Sequence, residues 1–241
     1  MLAGNRQRTS RMRRAVFLGV AAFFCLRAFA GDKKAAPGSV LVPDKGKFNI
    51  LLEGKSIGRE EFEIQPSGAS WIAKGSTSLQ MPDGKSAKVT GALTLQANGT
   101  PVTYDWTAQT DKTNSANIVF SNGVAKTTLQ VQGARPFQQE NTFDSPLIAV
   151  LDNNLYHQYE ILARVYDWSK RGSQTFPVLI PQELTPGTIT AESAGNATAE
   201  GKSFESLKVS TTDLEILLYL DATHRLMRLE VQASKVAVVR E

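Results

Sequence analysis

The chain has 241 residues, 41% of them hydrophobic and 21% charged, with a formal net charge of +4. Six arginines (Arg6, Arg8, Arg11, Arg13, Arg14, Arg27) and no acid fall in residues 1–30, and taking those six from the 27 basic residues leaves 21 against 23 acidic ones, a net of −2. The basic balance therefore belongs to the leader, which removes the electrostatic case for nucleic-acid binding, and one cysteine excludes a disulfide framework within the chain.

The leader has the three parts of an export signal. Arg11 to Arg14 form a charged start, Ala15 to Leu26 an apolar run, and Ala28-Phe29-Ala30 a small-x-small cleavage site. The expected mature chain begins near Gly31, in the periplasm or outside the cell. Met12 also begins a signal of ordinary length, so Met1 and Met12 both stand as starts. The apolar run is shorter than the roughly 20 residues needed to span a bilayer, so no membrane span is expected after cleavage. Cys25 leaves with the signal.

Residues 31–47 carry Lys, Ala, Pro and Gly without periodicity and read as a flexible lead-in. A single β-rich domain is expected over 48–241. From Phe48 the pattern is short β-prone runs with turn signals between them. Phe48–Leu52, Arg59–Gln65, Trp71–Leu79, Lys88–Ala97, a run from Val102 through Trp106, Ile118–Phe120 and Val124–Val131 are predicted strands. Asn98-Gly99 and Asn122-Gly123 are the hairpin signals, because both residue types accept the positive φ of a tight primed turn.

The stretch from Asp144 to Gly172 reads differently. Leu147, Leu151, Leu155, Tyr159, Leu162 and Tyr166 recur at helical spacing, Ser145-Pro146 suits a helix start, and Gly172 suits a stop, which predicts a helix over 145–171. Asp152-Asn153-Asn154 is its weak point, since these side chains compete for the backbone and can divide the helix in two. Six further strands are predicted beyond it: Thr175–Ile180, Thr188–Glu192, Ser203–Ser210, Leu214–Leu220, Leu226–Gln232 and Val236–Arg240. The fold class is mainly β (α+β). About 13 strands form a large curved antiparallel sheet or half-barrel packed around one long central helix.

No catalytic constellation survives its context. Gly54-Lys55-Ser56-Ile57-Gly58 matches the G-x-S-x-G elbow, and Asp152 and His224 follow in hydrolase order, but a β-prone run succeeds the serine where a helix is needed. His157 and His224 are the only histidines and form no metal-ligand spacing, so neither a metal nor a cofactor is expected. Glu60-Glu61 with Glu63, and Asp213 with Glu215, read as solvated sheet faces. Two formal glycosylation sequons, at Asn98 and Asn196, read as loop residues.

Two stretches carry a family resemblance. FNILLEGKSIGREEFEI near the start and TTDLEILLYLDATHRLMRLEV…VAVVRE at the end, with its D-x-x-H-R turn, resemble a broad group of exported bacterial β proteins of unknown function. The expected architecture also looks like the lipoprotein-localisation (Lol) carriers, whose half-open barrel wraps helices over an apolar cavity.

The leading expectation is a non-enzymatic periplasmic protein. Its first expected partner is an apolar small molecule such as a lipid or acyl chain, held between sheet and helix by Leu155, Tyr156, Tyr159, Tyr166 and Trp168. The alternative is an envelope interaction or assembly protein with a filled core, and a secreted hydrolase is third.

Overall fold

In a computed structural model the described residues are 38–81 and 83–241. The expected export signal at 1–30 and the first part of the lead-in lie outside them. The rest of the lead-in is folded: Leu41 is buried in the core, and the first strand, β1, runs Asp44–Leu52.

Seven further strands follow as a meander: β2 (Lys55–Ser67), β3 (Ser70–Gln80), β4 (Ser86–Leu95), β5 (Pro101–Gln109), β6 (Thr113–Ser121), β7 (Val124–Val131) and β8 (Phe137–Thr142). Each pairs antiparallel with the one before it. A glycine turn is present at both hairpin signals, but only Asn122-Gly123 has the predicted primed form. Asn122 and Gly123 both have positive φ between β6 and β7, whereas at Asn98-Gly99 only the glycine does.

The chain then reaches the other edge of the sheet as β9 (Ala149–Val150), enters the helix α1 (His157–Val165), and returns through six strands. These are β10 (Gln174–Ile180), β11 (Thr185–Ala199), β12 (Lys202–Ser210), β13 (Glu215–Leu220), β14 (Leu226–Val231) and β15 (Val236–Arg240). β15 pairs antiparallel with β1, joining both runs into one sheet of fifteen strands among the described residues. Every neighbouring pair is antiparallel except β9 with β10, which is parallel. Sheets this wide curl. At the seam between its two edges, the side chains of Gln139 and Asn141 on β8 both donate to the carbonyl of Leu184, in the β10–β11 turn.

Each predicted strand has a counterpart, while β8 and β9 add two that the sequence pattern did not show. Phe137–Thr142 is FQQENT, with no apolar alternation to announce it.

The long central helix is not present. α1 has nine residues, against the 27 expected over 145–171. Three local competitors replace it. Ser145 Oγ accepts the Leu147 amide without starting a helix. Ala149–Val150 is recruited by β10. The Asp152 carboxylate accepts the Asn154 amide, the Asx turn that favours a break here. At the far end Tyr166 is already extended, and Gln174 satisfies both the amide and the carbonyl of Asp167. Leu151 and Leu155 are buried nonetheless, so the leucine spacing marks the apolar side of an irregular segment.

Candidate functional site

Alternation places Gly58, Glu60, Phe62 and Ile64 of β2 on the inner face, while Glu61 and Glu63 point outward. Glu60 is therefore fully buried, not part of a solvated face as expected. It receives α1: one carboxylate oxygen accepts the Tyr156 amide at 2.8 Å, and the other lies 2.5 Å from His157 Nδ1. A carboxylate at a helix N-terminus satisfies a free amide and complements the helix dipole. Tyr156 is the N-cap and has no side-chain cap of its own, so a strand distant in sequence supplies it.

Two other inner-face side chains hold the segment before the helix. The Thr77 hydroxyl donates to the Asn154 carbonyl at 2.6 Å, and the Tyr104 hydroxyl donates to Asp152 Oδ2 at 2.9 Å. The Asp152 amide in turn donates to Gln158 Oε1. Burial raises the Asp152 carboxyl above its ordinary value, against the bonds from Asn154 and Tyr104 that lower it. Gly75 and Gly91 make room for this segment. A Cβ at Gly75 would lie 2.5 Å from His157 Cε1, and one at Gly91 would lie 2.4 Å from Leu155 Cδ1.

A second cluster fastens the other side of α1. Glu160 accepts from the Leu226 amide at 2.9 Å and faces Arg164 and Arg240, while Arg240 forms a two-pronged pair with Asp44. Aromatic rings link the clusters: Arg240 lies over Phe62, and Phe62 stacks between Phe48 and His157.

His157 with Glu60 has the form of a general-base pair, and His157 Nε2 has no partner. Both side chains are at most 1% exposed, with Phe62 stacked on the imidazole and no hydroxyl or thiol bonded to it. This arrangement positions the helix. Among the described residues no group of three His, Cys, Asp or Glu side chains could hold a metal.

The five expected ligand residues take different places around the helix. Leu155 is buried beside Gly91, and Tyr156 and Tyr159 pack half-buried against the core. The Tyr166 hydroxyl donates to the Gly172 carbonyl and accepts the Ser193 amide. Trp168 Nε1–H donates to the Ala163 carbonyl, and its ring stacks on His224 at 4.2 Å. A void of about 20 Å³ does lie between helix and sheet, lined among others by Leu93, Leu95, Leu147, Ile161, Leu162 and Phe176. None of the five lines it.

Ser56, Asp152 and His224 are not brought together. The exposed Ser56 hydroxyl donates to Asn49, Asp152 is buried beside Tyr104, and His224 Nε2 sits 3.1 Å from Glu205. Sequence reasoning missed Glu60, Thr77, Tyr104 and Arg240. The alternation of Phe62 and Ile64, continued back two places, would have found the first.

The chain matches no family model and no curated protein sequence. In fold it is similar to the crystal structure of a β-barrel-like protein of a domain of unknown function, DUF1849, from Brucella abortus. That match has 11% identity, covers 83% of this chain and 95% of the other, and has a TM-score of 0.54. It shows a shared β-barrel-like architecture only. A DUF1089 family protein from Pseudomonas aeruginosa matches at 8% identity over 70% of this chain and 92% of its own, with a TM-score of 0.44, too low to add to the fold assignment. The expected resemblance to the lipoprotein-localisation carriers is not shown.

Proposed function

We propose that this chain is an exported, non-enzymatic envelope protein that acts through its surface, with a filled interior. The observation that carries this reading is the size of the void between α1 and the sheet. About 20 Å³ has room for a water molecule, whereas small-molecule sites take about 300–1,000 Å³. Export rests on the arginine-rich start, the short apolar run and Ala28-Phe29-Ala30.

The feature best suited to a protein partner is the β8 edge. Its ladder partner lies on one side only, its other side meets the Leu184 turn through Gln139 and Asn141, and Phe137 at its start, before those contacts, is 51% exposed. The start of an edge strand with an exposed aromatic suits partner docking.

The apolar-ligand reading keeps one observation in its favour. The void lies where that reading puts it, between helix and sheet, and outward movement of α1 would enlarge it.

Native mass spectrometry of protein purified from the periplasm separates the two. The expected species is the bare processed polypeptide, and a photocrosslinker at Phe137 should give one discrete protein adduct in cells. A co-purified lipid, with no adduct at Phe137, would establish the carrier reading instead.

A further inference from the structure

The short strand β9 ends the sheet, with β10 on one side of it only. The Leu151 amide donates to the Leu179 carbonyl at 3.1 Å, which fixes the direction of the peptide groups here. Backbone groups alternate sides along a strand, so the amide and carbonyl of Val150 turn away from β10. Val150 is 4% exposed, and among the described residues no protein group bonds that amide or that carbonyl. Buried backbone groups in this position cost about as much as a lost hydrogen bond.

Gln158 reaches the same place from α1. Its side chain is buried, and Oε1 accepts the Asp152 amide at 2.6 Å. That bond settles the orientation of the carboxamide and leaves Nε2 as a donor without a partner. Val150 and Gln158 both line the void of about 20 Å³ between helix and sheet, and every other residue around it is apolar. Two buried donors and one buried acceptor thus belong to residues that border one small space.

A water molecule needs roughly 10–15 Å³ and two to four polar partners, and this void supplies both. An anion there would bury its charge with no cation among the lining residues, and a metal ion would meet two N–H donors. We propose that the void is the binding site of one internal water molecule. It accepts from the Gln158 carboxamide and the Val150 amide and donates to the Val150 carbonyl. The water fastens α1 to the open side of β9 and closes that edge of the sheet to pairing, whereas the start of β8 stays accessible. Tyr104 Oη is the rival acceptor for Gln158 Nε2, but it lies outside hydrogen-bond geometry.

Water-selective NOE and ROE spectra of the nitrogen-15-labelled chain test this. Cross-peaks to water are expected at the Gln158 side-chain amide and at the Val150 amide. Their signs should be opposite in the two spectra, as dipolar contact with a long-lived bound water requires. Tyr104→Phe removes the nearby hydroxyl that could relay solvent protons, and it should leave both peaks in place. Gln158→Met keeps the side-chain length without the carboxamide and should weaken the Val150 peak several-fold. Should Gln158→Met fail to fold, the wild-type and Tyr104→Phe spectra decide. A missing peak at either group in the wild-type chain overturns the proposal. So does loss of both peaks in folded Tyr104→Phe, or an unchanged Val150 peak in folded Gln158→Met.

Discussion

Gly75 and Gly91 stand directly opposite each other on β3 and β4, and together they set how closely the helix segment approaches the sheet. Neither needs an unusual dihedral; what each supplies is space for His157 and Leu155. Any side chain there pushes against buried neighbours that have nowhere to go. Gly75→Ala should destabilise the fold by about 1–3 kcal/mol, the usual cost of overpacking, read as a lower urea midpoint. A larger effect is expected if the shift also parts His157 from Glu60, because separating the pair leaves buried polar groups without partners.

Nine residues are too few for a helix to persist alone, so α1 exists because the sheet holds it. Its buried face is mixed: Ile161, Leu162 and Ala163 are apolar, while His157, Gln158 and Glu160 are polar and matched to inner-face partners. The apolar contacts supply stability, and the polar ones fix orientation. Leu162→Ala, and Leu155→Ala just before the helix, should each cost about 2–5 kcal/mol in chemical denaturation, since both side chains are at most 2% exposed. A loss below about 1 kcal/mol at both would mean that the helix contributes little to the core.

At the scale of the molecule, closure depends on the two ends of the described chain. β1 and β15 pair over five residues, and Arg240 reaches from the last strand to Asp44 in the first. No other pairing joins the N-terminal meander to the C-terminal strands in the ladder, because β8 and β9 are opposite edges. Deleting residues 236–241 should therefore abolish cooperative unfolding rather than merely lower its midpoint. Circular dichroism would show a broad, low-amplitude melt. A sharp transition in the truncated chain would show that the seam at Leu184 can hold the sheet closed.

The β strands were legible because their determinants are local: alternation at Phe62–Ile64 or Val89–Leu95, and glycine turns at Gly99 and Gly123, depend on neighbouring residues only. The antiparallel arrangement followed from short connections that leave no room for crossovers. The helix length was not legible, because leucine spacing records which residues are buried and not the backbone that buries them; Ser145, the β10 edge and Asp152 decided against a helix before Tyr156. β8 escaped notice because it is a polar strand at a sheet edge. The inner polar network was hidden for a related reason. Glu60, Thr77 and Arg240 look like surface residues in sequence, Tyr104 sits on the apolar side of its alternation with no partner to be seen, and the partners of the four lie 97, 77, 48 and 196 residues away. Pairing over such separations is set only when the sheet closes and brings β1, β2, β3, β5 and β15 around one helix. Local patterning therefore determined the strands and turns, while closure of the sheet determined which polar groups were buried and with whom, because a buried charge persists only where tertiary structure supplies its partner.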